Sequence, residues 1–150
     1  MEIVSLILSI AAGAFSVFTF WFAVRHDRKK DTIDAYNQLQ EQVLDKLSLY
    51  MPKEIEEISK QPRSEEYKTV GHYLARIEHF CVGVREKVYD KNIVIALGNG
   101  YLNGVIWSRV QSMVQVKGKV YYQNYCWLIS QMPRMEFEKR LSDKTEKYNG

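Results

Sequence analysis

The sequence predicts an all-α protein, in which an N-terminal transmembrane helix continues into a cytoplasmic helical bundle. Three observations predict this class. Residues 3–24 form a run of 22 residues without a charge. Neither glycine nor proline occurs between Gly13 and Pro52, so no helix breaker separates this run from the next segment. Farther along, residues 67–88 place apolar side chains alternately three and four apart, which is the repeat of an amphipathic helix.

The uncharged run is long enough to cross a bilayer. As a helix with a rise of ~1.5 Å per residue it is roughly 33 Å long, against a hydrocarbon core of about 30 Å. A secretory signal peptide would have a positive N-terminal region and a shorter apolar core, whereas this chain begins with Met1 and Glu2. We therefore expect residues 1–24 to form a transmembrane helix rather than a signal peptide or a buried core helix.

The flanks of the run predict its orientation. Basic residues crowd its C-terminal side, and basic flanks remain in the cytoplasm. We expect a single-pass protein of the inner membrane with its N-terminus outside and its C-terminal domain in the cytoplasm. The residues expected at the membrane interface are Phe18, Phe20, Trp21, Phe22, Arg25, Arg28, Lys29 and Lys30.

One face of the predicted span carries a stripe of small or weakly polar residues. Helices in lipid associate through such faces and through hydroxyl hydrogen bonds. The stripe therefore predicts self-association, either by dry packing between subunits or by lining a narrow pore, and the sequence leaves both open. Its members are Ser5, Ser9, Ala12, Ser16, Thr19 and Ala23.

The rest of the chain divides into a juxtamembrane amphipathic helix (residues 25–51) and a cytoplasmic α-helical domain (residues 52–150). The juxtamembrane helix has an apolar seam, and it either continues the membrane helix to about residue 51 or breaks near Asp31. Pro52 ends it. The seam consists of Ile33, Tyr36, Leu39, Val43, Leu47 and Tyr50.

Within the domain, Ser64 is the expected N-cap of the strongest helix, which should run to about Tyr89 and include Val88 in its apolar seam. The short apolar run of residues 93–97 indicates a short buried helix, and residues 98–100 indicate the turn that ends it.

The following helix should end before Gly118, a position typical of a C-cap glycine. A last polar helix is expected to carry Met135, Phe137 and Leu141.

Charge and cysteine content narrow the classes of partner. The formal net charge is +3, which favours contact with anionic lipid but is too weak to indicate direct binding of nucleic acid. Cys81 and Cys126 are the two cysteines, and in a cytoplasmic domain we expect both to be reduced.

One polar constellation occurs on a predicted core helix: His72, Arg76 and His79 share a face at positions i, i+4 and i+7, with Glu78 adjacent. They could form an RNA-cleaving or metal site, or simply a solvated or interface face. No third ligand is well placed for a metal, and no phosphate-binding loop or hydrolase motif is present in the sequence. We therefore expect no cofactor, no metal and no enzymatic activity.

Several segments together resemble a known family. The uncharged span, the basic junction RHDRKK, the amphipathic segment DAYNQLQEQVLDKL and the helix YLARIEHFCVGVREKVYD are similar to the small membrane accessory protein of type VI-B CRISPR–Cas systems. The resemblance implies a homo-oligomeric membrane pore with a divergent HEPN-like cytoplasmic domain. Such a pore would act with an RNA-guided ribonuclease and strengthen anti-phage defence by permeabilising or depolarising the inner membrane.

The chain departs from catalytic HEPN ribonucleases, which carry Arg, about four to six residues, and then His. Only two residues separate Arg76 from His79. The leading hypothesis is therefore a non-enzymatic pore-forming protein. A membrane-tethered adaptor that recruits a cytoplasmic partner without forming a pore is the alternative, and a membrane-anchored ribonuclease is the third.

Overall fold

The protein is all-α, as predicted, and no β-strand occurs in the part of the chain described. The computed structural model describes the backbone of residues 2–133 and the side chains of residues 10–133. In chain order the elements are α1 (Glu2–Leu39), a π-helical segment (Gln40–Leu44), α2 (Asp45–Leu47), α3 (Pro52–Ser59), α4 (Glu65–Arg85), α5 (Lys91–Gly98), a second π-helical segment (Asn99–Trp107), α6 (Ser108–Lys117), a 3-10 turn (Lys119–Tyr122) and α7 (Gln123–Gln131).

Helix α1 belongs to two environments. Every described side chain from residue 10 to residue 27 is exposed, and we call this stretch the arm. From Thr32 onward the same helix enters the core, where Tyr36 and Leu39 are buried. Helical structure continues without a break through the π-helical segment to Leu47. The prediction of one long helix is thus confirmed, and a break near Asp31 is not observed.

The transmembrane assignment of residues 1–24 gains no support from helix length and hydropathy. Among the helices of the part that the structure describes, none is long and apolar enough to cross a membrane.

The start of α4 is as expected, but its end is not. The Ser64 hydroxyl accepts a hydrogen bond from the Tyr67 backbone N–H at 3.1 Å, so the predicted N-cap is confirmed. The helix stops at Arg85 because Lys87 adopts a φ of +62° and reverses the chain. Val88 is consequently 60% exposed, and its predicted place in the apolar seam is wrong.

Helices α5 and α6 are joined by helical structure instead of the predicted turn at residues 98–100. The short helix itself is confirmed, as α5. Gly98 keeps a right-handed conformation (φ −91°) and leads directly into the second π-helical segment. A Cβ at Gly98 would lie 3.3 Å from the Leu102 Cβ and 3.4 Å from a ring carbon of Tyr36. This glycine therefore serves close packing of α5 on α1.

Gly118 ends α6 with a φ of +92°, which confirms the predicted C-terminal glycine. The last predicted helix, with Met135, Phe137 and Leu141, lies outside the described residues.

A single core joins the second half of α1 to the rest of the bundle. Helix α4 packs on α7, α3 on α6, and α1 on α5. The largest fully buried side chains come from several different helical segments and include Leu44, Leu74, Ile106 and Tyr125. The segment from Thr32 to Leu47 is therefore an integral part of the domain, since its apolar side chains belong to the same core cluster as those of the other helices.

Candidate partner-binding groove

The three residues singled out on α4 do share an exposed face. His72, Arg76 and His79 are all exposed, and we call them the basic ridge. The opposite face of the same helix is buried through Leu74 and Ile77. The spacing of i, i+4 and i+7 keeps the ridge on one side of the helix.

The basic ridge forms one wall of an open groove between α1 and α4. The groove has a volume of about 330 Å³. The ridge supplies its polar rim, while small and aromatic side chains form much of the remaining surface. The lining residues are Ala35, Gln38, Leu39, His72, Ala75, Arg76, His79, Phe80 and Tyr89. No carboxylate is among them.

Arg76 is held by a neutral partner. Its guanidinium donates a short hydrogen bond to the side-chain oxygen of Gln42. Gln42 lies in the π-helical segment that follows α1, and π-helical turns frequently mark functional sites. Because an amide does not neutralise the guanidinium, Arg76 keeps its positive charge at the groove.

Glu78 does not belong to the ridge, although it is adjacent in sequence. Its carboxylate accepts hydrogen bonds from the backbone N–H of Asn124 (3.0 Å), the side-chain amide of Asn124 (2.7 Å) and the backbone N–H of Tyr125 (2.8 Å). These donors lie in the first turn of α7, where free N–H groups need acceptors. Glu78 therefore holds α7 against α4 and is not among the residues that line the groove.

The ridge is spaced for an extended ligand. His79 lies seven positions after His72, which corresponds to about 10.5 Å along the helix axis. Two imidazoles so far apart contact two points of a ligand more readily than one reacting atom. Within the described residues, no three His, Cys, Asp or Glu side chains come together to hold a metal ion. Cys81 is buried and Cys126 half-buried, and both are free.

The arm displays the predicted interface aromatics. Phe18, Phe20, Trp21 and Phe22 are between 56% and 71% exposed. The Arg25 guanidinium lies over the Trp21 ring, 5.3 Å from its centroid. An exposed aromatic cluster beside a cation is the composition expected at a membrane–water boundary. Lys29 and Lys30 are exposed as well.

Arg28 has a different role from its basic neighbours. It is only half-exposed and forms an ion pair with Asp90 across 3.5 Å. Burial acts to raise the pKa of Asp90, but hydrogen bonds from the Asn92 and Ile93 backbone N–H groups and the charge of Arg28 outweigh it and lower that pKa. Arg28 therefore contacts the bundle through Asp90, while its predicted place at a membrane interface stays a prediction.

The small-residue stripe is uncovered where its side chains are described. Ala12, Ser16, Thr19 and Ala23 are exposed, and the side chains of Ser5 and Ser9 lie outside the described part. The Ser16 hydroxyl donates to the Ala12 carbonyl at 2.9 Å, and the Thr19 hydroxyl to that of Phe15 at 3.0 Å. These hydroxyls are satisfied within their own helix, which suits an apolar environment.

Residues from outside α4 complete the groove and were not anticipated from the sequence. Gln38 and Gln42 do not belong to any apolar repeat in the sequence. The sequence predicts Tyr89 at the end of a longer helix α4. Tyr89 instead folds back after the turn at Lys87 and stacks on Phe80, with 5.1 Å between ring centroids. Leu39, which also lines the groove, is the exception, because it belongs to the predicted apolar seam of residues 33–50.

Comparison with known proteins defines the family and leaves its activity open. No curated protein and no solved structure matches this chain. A protein-family search matches residues 6–132 to a domain of unknown function, DUF4760. The match covers the arm, the basic ridge and the groove between α1 and α4. The chain therefore belongs to the DUF4760 family.

Proposed function

We propose that this protein is a membrane-anchored adaptor, whose arm enters the bilayer and whose helical bundle recruits a cytoplasmic partner. The observation that carries the proposal is the double environment of α1. Its first part belongs to an uncharged run that starts at Ile3, and the described side chains of that run are all exposed. Its second part is a core element, with Tyr36 and Leu39 buried. Whatever binds the arm therefore also fixes the bundle.

Exposed apolar area supports a lipid environment for the arm. Five aromatic side chains between Phe15 and Phe22 are each more than half exposed, and exposed patches of this kind mark membrane or protein contacts. The exposed cations Arg25, Lys29 and Lys30 follow immediately. This order, with an apolar run before a basic flank, favours insertion with the bundle on the cytoplasmic side of the inner membrane.

Flotation of the full chain with liposomes tests the anchor. Wild-type protein should float with vesicles and resist extraction by carbonate. Phe18→Asp together with Phe22→Asp should abolish both, because each charge placed in the hydrocarbon costs about 2.5–3.5 kcal/mol.

The matched control is Val116→Asp with Val120→Asp, which places the same two charges at exposed apolar positions of the bundle. Control protein should float like wild type. Flotation of the arm variant at the wild-type level would overturn the proposal.

A homo-oligomeric pore is the second candidate, favoured by one observation: the described members of the small-residue stripe, Ala12, Ser16, Thr19 and Ala23, are all exposed. In a bilayer the stripe would be free to pack against other copies. The back-bonded hydroxyls of Ser16 and Thr19 favour dry helix contacts over a hydrated lumen. The resemblance to CRISPR-associated accessory proteins would give this pore its setting, as a partner of an RNA-guided ribonuclease in anti-phage defence.

The pore is tested by mass and conductance together. Detergent-purified protein should be oligomeric and should release dye from liposomes, and Ser9→Leu with Ser16→Leu should reduce both. A monomer or dimer without leakage would leave the adaptor as the better account. An oligomer whose mass and leakage are unchanged in the variant would contradict the role of the stripe.

A further inference from the structure

We propose that the groove between α1 and α4 binds an acidic amphipathic helical segment of a partner protein, with its carboxylates on the basic ridge. This inference rests on the proposed adaptor function and identifies the chemistry of the partner. The groove combines an open volume of about 330 Å³ with one arginine, two histidines and no carboxylate in its lining.

The charge of the groove selects an acidic ligand. Arg76 is the fixed cation, and its contact is the neutral Gln42 side chain rather than an acid. Both histidines are exposed beside it and can donate hydrogen bonds from a ring N–H. A carboxylate placed between them would receive charge-assisted hydrogen bonds that the empty groove does not supply.

The shape of the groove selects a helix. Its two walls are helices, and its small residues Ala35 and Ala75 allow a third backbone to approach closely. The ridge repeats at i, i+4 and i+7, so acids with the same spacing on a ligand helix can face each member in turn. The ligand helix would direct its apolar side chains toward Leu39, which is buried in the groove wall.

A second copy of this chain fits less well, although the chain has an acidic groove of its own. That groove, of about 460 Å³, is lined by Tyr50, Lys53, Glu54, Glu57, Ile58 and Glu66. Glu66 lies ten residues before Arg76 on α4, or about 15 Å along the helix axis. The acidic groove also contains Lys53, so its charge complements the basic ridge less well than a helix whose row of carboxylates is uninterrupted.

Fluorescence anisotropy with the full chain in detergent tests the groove directly. The probe is a labelled 18-residue helical peptide with Glu at i, i+4 and i+7 and leucine on the adjoining face. A second peptide replaces each Glu by Gln. We expect the Glu peptide to bind roughly tenfold more tightly than the Gln peptide, the range of close charge pairs across interfaces.

Two variants locate the binding. Arg76→Glu should weaken binding of the Glu peptide roughly tenfold, whereas Arg63→Glu makes the same charge reversal in an exposed loop and should leave it unchanged. Ala75→Trp fills the groove from an exposed helix position without changing charge, and it should weaken both peptides. Circular dichroism establishes that each variant is folded.

Three results would overturn the inference: no binding by wild type, equal binding of the two peptides, or equal effects of Arg76→Glu and Arg63→Glu. Loss of oligomer mass in Arg76→Glu would also overturn it, because the groove would then hold a second copy. These outcomes are distinguishable from failure of the adaptor proposal, since liposome flotation depends on the arm and not on Arg76.

Discussion

Asp90 joins the end of α4, the start of α5 and the basic flank of α1 at one point. Its carboxylate accepts a hydrogen bond from the Asn92 backbone N–H at 3.0 Å, and so acts as the N-cap of α5. It also pairs with Arg28. Its backbone N–H donates to the buried Thr32 hydroxyl at 2.8 Å, which donates in turn to the Arg28 carbonyl at 2.6 Å. The junction between arm and bundle thus rests on a polar network of Arg28, Thr32 and Asp90, in which the buried Nε of Arg28 has no hydrogen-bond partner among the described residues.

The lowered pKa of Asp90 predicts a pH-dependent contribution to stability. A carboxyl whose pKa is depressed in the folded protein stabilises it above the pKa of the unfolded chain, about 3.9, and loses that contribution as pH falls through the folded value. Asp90→Ala should lower the free energy of unfolding by about 1–2 kcal/mol at pH 7, since an N-cap is lost. Urea unfolding at pH 7 and at pH 3 measures the effect.

Asp90→Asn is the informative control, because asparagine is an equally good N-cap but carries no charge. At pH 7 this variant should keep most of the wild-type free energy of unfolding. Its free energy of unfolding should fall less between pH 7 and pH 3 than that of the wild type. Equal pH dependence of wild type and Asp90→Asn would contradict the role given to this carboxylate.

At the scale of elements, periodicity predicted the helices whose buried face is continuous in sequence. The seam of α4 from Val70 to Val84 is buried as expected, and Ser64 caps it. Local signals failed where a distant contact decides the outcome. Gly98 and Gly100 are typical of a turn, yet the chain stays helical through both, and Gly98 packs closely on Leu102 and Tyr36.

The candidate site shows the same division: its local pattern could be predicted from the sequence, and its distant contacts could not. Three residues on one helix face could be recognised from their spacing, and they do lie together on the ridge. The approach of the α1 side of the groove could not be recognised from spacing, since Gln42 contacts Arg76 from 34 residues away. The partners of Glu78 and Arg28 could not be predicted for the same reason: each is bound to a residue far along the chain.

The two glycines make a matched pair of substitutions. Gly98→Val should destabilise the protein by about 1–3 kcal/mol, because the added side chain meets Leu102 and Tyr36 where there is no space. Gly100→Ala lies in the same helical region with nothing within 4 Å of its Cβ, and should be neutral or stabilising by about 0.5–1 kcal/mol. Thermal unfolding by circular dichroism compares them. Equal effects would show that Gly98 is not a packing residue.

At the scale of the whole molecule, α1 determines how the bundle is presented. The helix has no break between the exposed arm and the core residues Tyr36 and Leu39. A bundle joined to an anchor in this way has a defined height and tilt above the bilayer, unlike one on a flexible linker. A partner held in the groove between α1 and α4 would therefore be held at a fixed distance from the membrane.

Breaking the helix at the exposed Lys29 should separate these two halves without unfolding either. Lys29→Pro removes a backbone hydrogen bond and clashes with the preceding turn, while Asp90 still binds Thr32 beyond the break.

Spin labels at exposed Ala14 and Asn37, in a variant with both native cysteines replaced, should lie about 35 Å apart along an intact helix. Double electron–electron resonance should give a narrow distance distribution for wild type and for Lys29→Ala. Lys29→Pro should broaden it and leave peptide binding by the groove intact. A broad distribution in the wild type would mean that the arm and the bundle already move independently, and the fixed height of the partner would be wrong.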